Sequence, residues 1–135
     1  MPVTYSIATT IRTNNGSVTI PATTVSGDAE LVYDDTIAAG TTDKQIVMAV
    51  DVSEVKCIVI VVDGLSTGKT MTIETNSASS PVNTITLTPG TLGKVWYTGA
   101  VGANPLTTDV TSFFVTSDDT VNRRLRIYVC ADVTP

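Results

Sequence analysis

Val55-Lys56-Cys57-Ile58-Val59-Ile60-Val61-Val62 is an almost unbroken run of β-branched and apolar residues. It is bounded by the turn-forming Asp51-Val52-Ser53-Glu54 before it and Asp63-Gly64 after it. A run this short and this apolar reads as a strand buried on both faces. It falls well short of the roughly twenty apolar residues that a membrane-spanning helix needs. A strand with two apolar faces belongs at the centre of a sheet. One face is expected on an intersheet core, and the other under a loop, an arm or a neighbouring subunit.

The rest of the chain repeats the theme on a smaller scale. Val3, Tyr5 and Ile7 alternate with Thr4, Ser6 and Ala8, which predicts a first strand running on to Arg12. Asn14-Asn15-Gly16 then predicts a type I′ hairpin turn. The returning strand, residues 17–25, contains Pro21, which cannot donate to a ladder and so marks an edge or a bulge. Further strands are predicted over residues 30–37, 44–50, 71–75, 83–88, 94–98, 112–116 and 124–129. Pro89-Gly90 suits the centre of a type II turn. Ser117-Asp118-Asp119-Thr120 reads as a hairpin, and Asp51-Val52-Ser53-Glu54 is the best helical turn, capped by Asp51 or Ser53. About ten short strands at regular spacing predict an all-β protein. The expected form is a two-sheet antiparallel β-sandwich, jelly-roll-like or Greek-key. The 135 residues fit a single domain, 1–135, with residues 1–12 serving as an edge strand or an arm used in assembly.

Composition narrows the function classes. Charged residues are 16% of the chain, below the roughly 25% usual for soluble domains. The surface is therefore covered largely by Thr, Ser, Asn and Gly, which suits a protein packed among other copies or partners. A net charge of -5 argues against binding nucleic acid, because neutralising phosphates needs clustered Lys and Arg. The one basic cluster, Arg123-Arg124-Arg126, reads as a solvated strand face. Met1-Pro2-Val3-Thr4-Tyr5 shows neither a positive n-region nor an apolar h-region. The expectation is synthesis in the cytoplasm without a signal peptide, and no membrane partner.

The motifs that invite chemistry have simpler readings. Gly64-Leu65-Ser66-Thr67-Gly68-Lys69-Thr70 resembles a phosphate loop, but Asp63 stands where its first glycine belongs. A strand rather than a helix is predicted after it, so a hairpin loop is expected. Asp34-Asp35 and Asp118-Asp119 are adjacent pairs, which suit turns better than the spaced oxygen ligands of calcium; an ion shared at a subunit interface stays open. Cys57 and Cys130, with no histidine in the chain, do not suggest a metal site. They read as buried free thiols, with a disulfide as the open alternative. Without histidine the usual base for a hydroxyl nucleophile is missing. A Ser-Lys arrangement with Lys44, Lys56, Lys69 or Lys94 and a carboxylate pair from distant strands stay open, but no motif supports either, and no enzyme activity or cofactor is expected. Asn15-Gly16-Ser17 is better read as a turn than as a glycosylation site. The aromatics Tyr5, Trp96, Tyr97, Phe113 and Phe114 are the candidate partner-interface residues, since such side chains dominate interfaces.

Several segments resemble those of a loose group of small all-β proteins from tailed-bacteriophage genomes. They are Asp51-Val52-Ser53 with its apolar strand, Met71-Thr72-Ile73-Glu74-Thr75-Asn76, residues 104–111 and the ending, residues 125–135. The resemblance covers most of the chain after Ala29 and rests on turns and strands. It implies a non-enzymatic virion structural protein, a capsid decoration (cement) protein or another head or neck accessory. Its implied partners are the major capsid protein or other virion proteins, and it has no catalytic residues to carry over. A homo-oligomer is expected, a trimer among its forms. The alternatives are a carbohydrate- or receptor-binding module of a phage fibre, tail or adhesin, which predicts an outward Trp96 or Tyr97, and a subunit of another β assembly.

Overall fold

The computed structural model describes residues 2–100 and 102–134. Met1 of the expected arm, Val101 and the terminal Pro135 lie outside the described residues. Ten strands form, each where the alternation places one: β1 (Val3–Thr13), β2 (Gly16–Gly27), β3 (Ala29–Ile37), β4 (Lys44–Val50), β5 (Val55–Val62), β6 (Met71–Thr75), β7 (Thr84–Leu87), β8 (Gly93–Tyr97), β9 (Val110–Ser117) and β10 (Arg123–Ala131). Asp51 caps a single 3-10 turn, Val52–Glu54, by accepting from the Ser53 amide at 2.9 Å.

Two four-stranded antiparallel sheets pack face to face, in the orders β3-β10-β5-β8 and β4-β9-β6-β7. The pairs β3:β10, β4:β9, β5:β8 and β6:β7 are nested about the β6–β7 turn, as in one long hairpin rolled up on itself. That wiring is the jelly-roll form of the sandwich. Its consequence for local reading is that most connections cross from one sheet to the other. The segments 63–70 and 118–122 are therefore crossovers and not the expected hairpins: β5 and β6 lie in different sheets, as do β9 and β10.

The strand β5 is central. Ile58, Ile60 and Val62 stand opposite Val129, Ile127 and Leu125 of β10 and face the other sheet. There they meet Ile46, Met48, Phe113, Val115, Met71 and Ile73 in one continuous core. Fully burying a side chain of this size contributes about 1.5–3 kcal/mol, so this layer supplies the main drive to fold. The alternate residues of β5, Cys57 and Val59, face away from the core and belong to a second, smaller apolar cluster. A bulge beside Lys56 turns Val55 back toward the core. The Lys56 carbonyl accepts from both the amide and the hydroxyl of Thr98.

Side-chain amides and carboxylates stitch the ends of the sandwich. Asn76, at a positive φ of 68°, accepts from the Thr111 amide at 2.8 Å and donates to the Asp109 carbonyl at 2.9 Å. Asn83 accepts from the Thr107 amide, and Asp109 accepts from the Val52 amide. The motifs that carry the sequence resemblance at this end thus hold loops together.

At the other end, Asp119 is buried and accepts from the Ser66 amide at 2.9 Å, the Ser66 hydroxyl at 2.8 Å and Arg123 Nε at 2.9 Å. Its neighbour Asp118 accepts from the Thr70 amide at 2.7 Å. The loop that imitates a phosphate site is clamped by the chain's own carboxylates, and β6 follows it as a strand. Two turn assignments differ from the sequence reading. Positive φ falls on Gly16 (121°) and on neither Asn14 nor Asn15, so the β1–β2 turn is not type I′. Gly90 lacks the positive φ that a type II turn requires.

The Ser66 amide, then the Ser66 hydroxyl and Arg123, hold the Asp119 carboxyl well below the usual carboxylate range. A carboxyl lowered in the native state contributes stability that is complete above the unfolded-chain value, about 3.9, and is lost as pH falls toward the native value. The melting temperature of the protein should therefore fall as pH drops below about 4, and Asp119→Asn, less stable at neutral pH, should show a flatter decline. Thermal melts of both from neutral to strongly acid pH check this; parallel curves would show that the clamp carries no acid sensitivity.

Candidate interaction surface

The first two strands join neither sheet. They form a two-stranded antiparallel arm, β1-β2, whose base lies on the outer face of the β3-β10-β5-β8 sheet. The sequence reading gave residues 1–12 as an edge strand or an arm; in the structure they pair with the returning strand, up to Gly27, and with neither four-stranded sheet. At the base, Val3, Tyr5, Ile7 and Val25 pack on Cys57, Cys130, Val59 and Tyr97. Cys57 and Cys130 stand directly opposite each other across β5 and β10, and both are buried free thiols. The Tyr5 hydroxyl donates to the Glu30 carboxylate at 2.5 Å. Burial, with that carboxylate beside it, raises the Tyr5 hydroxyl far above its usual range. Gly27 permits the close approach, because a Cβ there would sit 2.3 Å from the Ala131 carbonyl oxygen. The Asp28 amide donates to that same oxygen at 2.9 Å.

Beyond the base the arm leaves the body of the protein. Every residue from 8 to 24 is exposed. This stretch is nonetheless amphipathic. Between the pairs Ile7↔Thr23 and Thr9↔Ile20, β2 carries one more residue than β1, at Pro21-Ala22. The bulge reverses the parity of β2, so Ile20 and Val18 share the face of Ile11 and, further down, of Val25, Ile7 and Tyr5. The opposite face is polar, with the cross-strand hydroxyl pairs Thr4–Ser26 and Thr10–Thr19. Ile11, Val18 and Ile20 are 51%, 59% and 57% exposed, and both long edges of the arm are unpaired. Such a ribbon is marginally stable alone, and its edges offer free amides and carbonyls to another strand.

The five candidate aromatics separate cleanly. Tyr5 and Tyr97 form the seat of the arm. Trp96 turns inward against the main core, with Nε1 donating to the Gly102 carbonyl at 3.3 Å. Phe113 is wholly inside the core and offers nothing to a partner. Phe114 is half-buried on the outer face of the second sheet, between Gln45 and Glu74. Aromatic content alone thus missed the exposed aliphatic row of the arm. The signal for it lay in Pro21, where the apolar parity of β2 changes from Val25 to Ile20 and Val18.

Of the acidic pairs, Asp34 forms a two-pronged ion pair with Arg124, at 2.7 and 2.6 Å. Among the described residues there is no pocket and no group of three or more His, Cys, Asp or Glu placed to hold a metal. What the surface offers is apolar area and open strand edges. Comparison with known protein families, curated proteins and solved structures finds no match to this chain.

Burial, with Cys130 alongside, pushes the Cys57 thiol up to about 11, and the thiolate is the reactive form. Gly27→Ala should lift the arm off its seat and raise the rate of Cys57 and Cys130 alkylation at least about tenfold, because access and ionisation improve together. Timed iodoacetamide labelling read by mass spectrometry checks this. Unchanged rates in the variant would mean that the arm does not shield the thiols.

Proposed function

We propose that this chain is a non-enzymatic virion structural protein, a capsid decoration protein that binds the lattice of the major capsid protein and stabilises the head. The observation that carries the reading is the amphipathic arm, exposed from residue 8 to residue 24, on a charge-poor sandwich. An element that is only partly stable alone can gain its remaining contacts from a neighbour in a lattice. The arm has that character: its base is anchored in a packed cluster, and its apolar row has no cover. Open edges suit strand addition to another sheet. The sequence resemblance to small tailed-phage proteins points the same way.

The carbohydrate- or receptor-binding alternative depended on an outward Trp96 or Tyr97. Trp96 packs on the core and Tyr97 lies beneath the arm, so neither presents a stacking platform. No specific observation favours that reading over attachment to a protein lattice.

The purified chain should co-sediment with empty heads of the phage that encodes it and raise their melting temperature. A variant with residues 9–24 replaced by a short turn should keep the sandwich but lose at least about tenfold in head affinity, or 1.4 kcal/mol. A full-length chain that ignores the heads would overturn the proposal.

A further inference from the structure

We infer that the apolar row of the arm seats on a second copy of this chain, on the uncovered part of the same outer sheet face that holds its own base. The inference rests on the reading of the arm as an assembly element, and it names the partner and the acceptor.

The acceptor is a row that crosses all four strands of the sheet. Val32 of β3 pairs with Tyr128 of β10, Tyr128 with Val59 of β5, and Val59 with Val95 of β8. All four side chains lie on the outer face, one step along from the row Glu30, Cys130, Cys57 and Tyr97. The base of the arm covers that neighbouring row and reaches Val59. Its cover stops there. Val32 and Val95, at the two ends of the next row, are 49% and 51% exposed.

Two features select a second copy as the occupant. First, the fit already exists within one chain. Val3, Tyr5, Ile7 and Val25 show that the apolar face of the arm packs on this sheet face, and Ile11, Val18 and Ile20 continue the same arm face. The uncovered halves are continuations of two surfaces that are already in contact. Second, Arg12 is the only charged residue between Val3 and Gly27, so the arm itself brings almost no charge to be desolvated. Each copy supplies one donor and one acceptor. Reciprocal seating closes a dimer and head-to-tail seating closes a ring, and neither leaves an uncovered row at an end.

Sedimentation velocity on three proteins tests the inference. The wild-type chain should form a closed oligomer at about 100 μM, a concentration that detects even weak association. The arm variant Ile11→Asp/Val18→Asp/Ile20→Asp and the face variant Val32→Asp/Val95→Asp should each be monomeric alone. All five positions are exposed, so circular dichroism and thermal melts should show intact folds. Mixed one to one, the two variants should associate, because one retains an acceptor and the other a donor. A monomeric wild type, a face variant that still self-associates, or a mixture that stays monomeric would each overturn the inference. Head co-sedimentation separates this from the function proposed above. A monomeric chain that still binds heads contradicts self-association only, and an oligomer that ignores heads contradicts the decoration role only.

Discussion

The pairing of β5 with β10 is the constraint on which the rest of the structure depends. One register sets both faces at once. It stacks Ile58, Ile60 and Val62 against Val129, Ile127 and Leu125 on the core side. It also puts Cys57 beside Cys130, and Val59 beside Tyr128, on the other side. A one-residue slip would exchange these faces, placing Tyr128 and Arg126 in the core and Ile127 in solvent. The inner face needs only the second sheet. The outer face is too apolar to be left bare, and the chain covers its first row with its own N-terminal strands.

Those strands are built for that task and extend past it. Up to Ile7 and Val25 the arm is a cover for the sheet. Beyond them the same apolar face continues with nothing beneath it, and the bulge at Pro21-Ala22 is what keeps the face continuous. Without the extra residue, β2 would present Thr19 and Ser17 beside Ile11, and the apolar row would break. A bulge that preserves amphipathicity in an exposed segment is hard to account for in an isolated monomer. It follows directly if the segment is completed by contact with another protein. The low charge of the chain fits the same account, since a surface meant to be covered carries little that resists desolvation.

How much of this was legible in the sequence depended on how local the controlling physics was. Strand positions follow from alternation within a few residues, and all ten were readable. The two-faced burial of β5 was readable from its unbroken apolar run. The misread features are set by distant partners. The loops at 63–70 and 118–122 look like hairpins locally, yet the rolled-up topology sends each to the other sheet, where Asp118 and Asp119 tie them together. The turn at Asn14 puts its positive φ on Gly16, where glycine has no steric cost, and leaves both asparagines out of that region. Alternation shows that Trp96 and Tyr97 point opposite ways, but not which one faces the core; pairing of Trp96 with Ile58 decides it. The sequence reading looked for a partner interface among aromatics and did not register the exposed aliphatic row of the arm, whose signal is the parity change across Pro21.

The central claim is that residues 9–24 form an incomplete element that another protein completes. Amide hydrogen exchange, followed by mass spectrometry across a concentration series and with the proposed capsid partner added as empty heads, tests it most directly. The account expects β5 and β10 to be protected throughout, the base of the arm at Val3 and Val25 to be protected in the monomer, and residues 9–24 to gain protection only on association. Slow exchange of residues 9–24 at the lowest concentration, or fast exchange there under every condition, would contradict it.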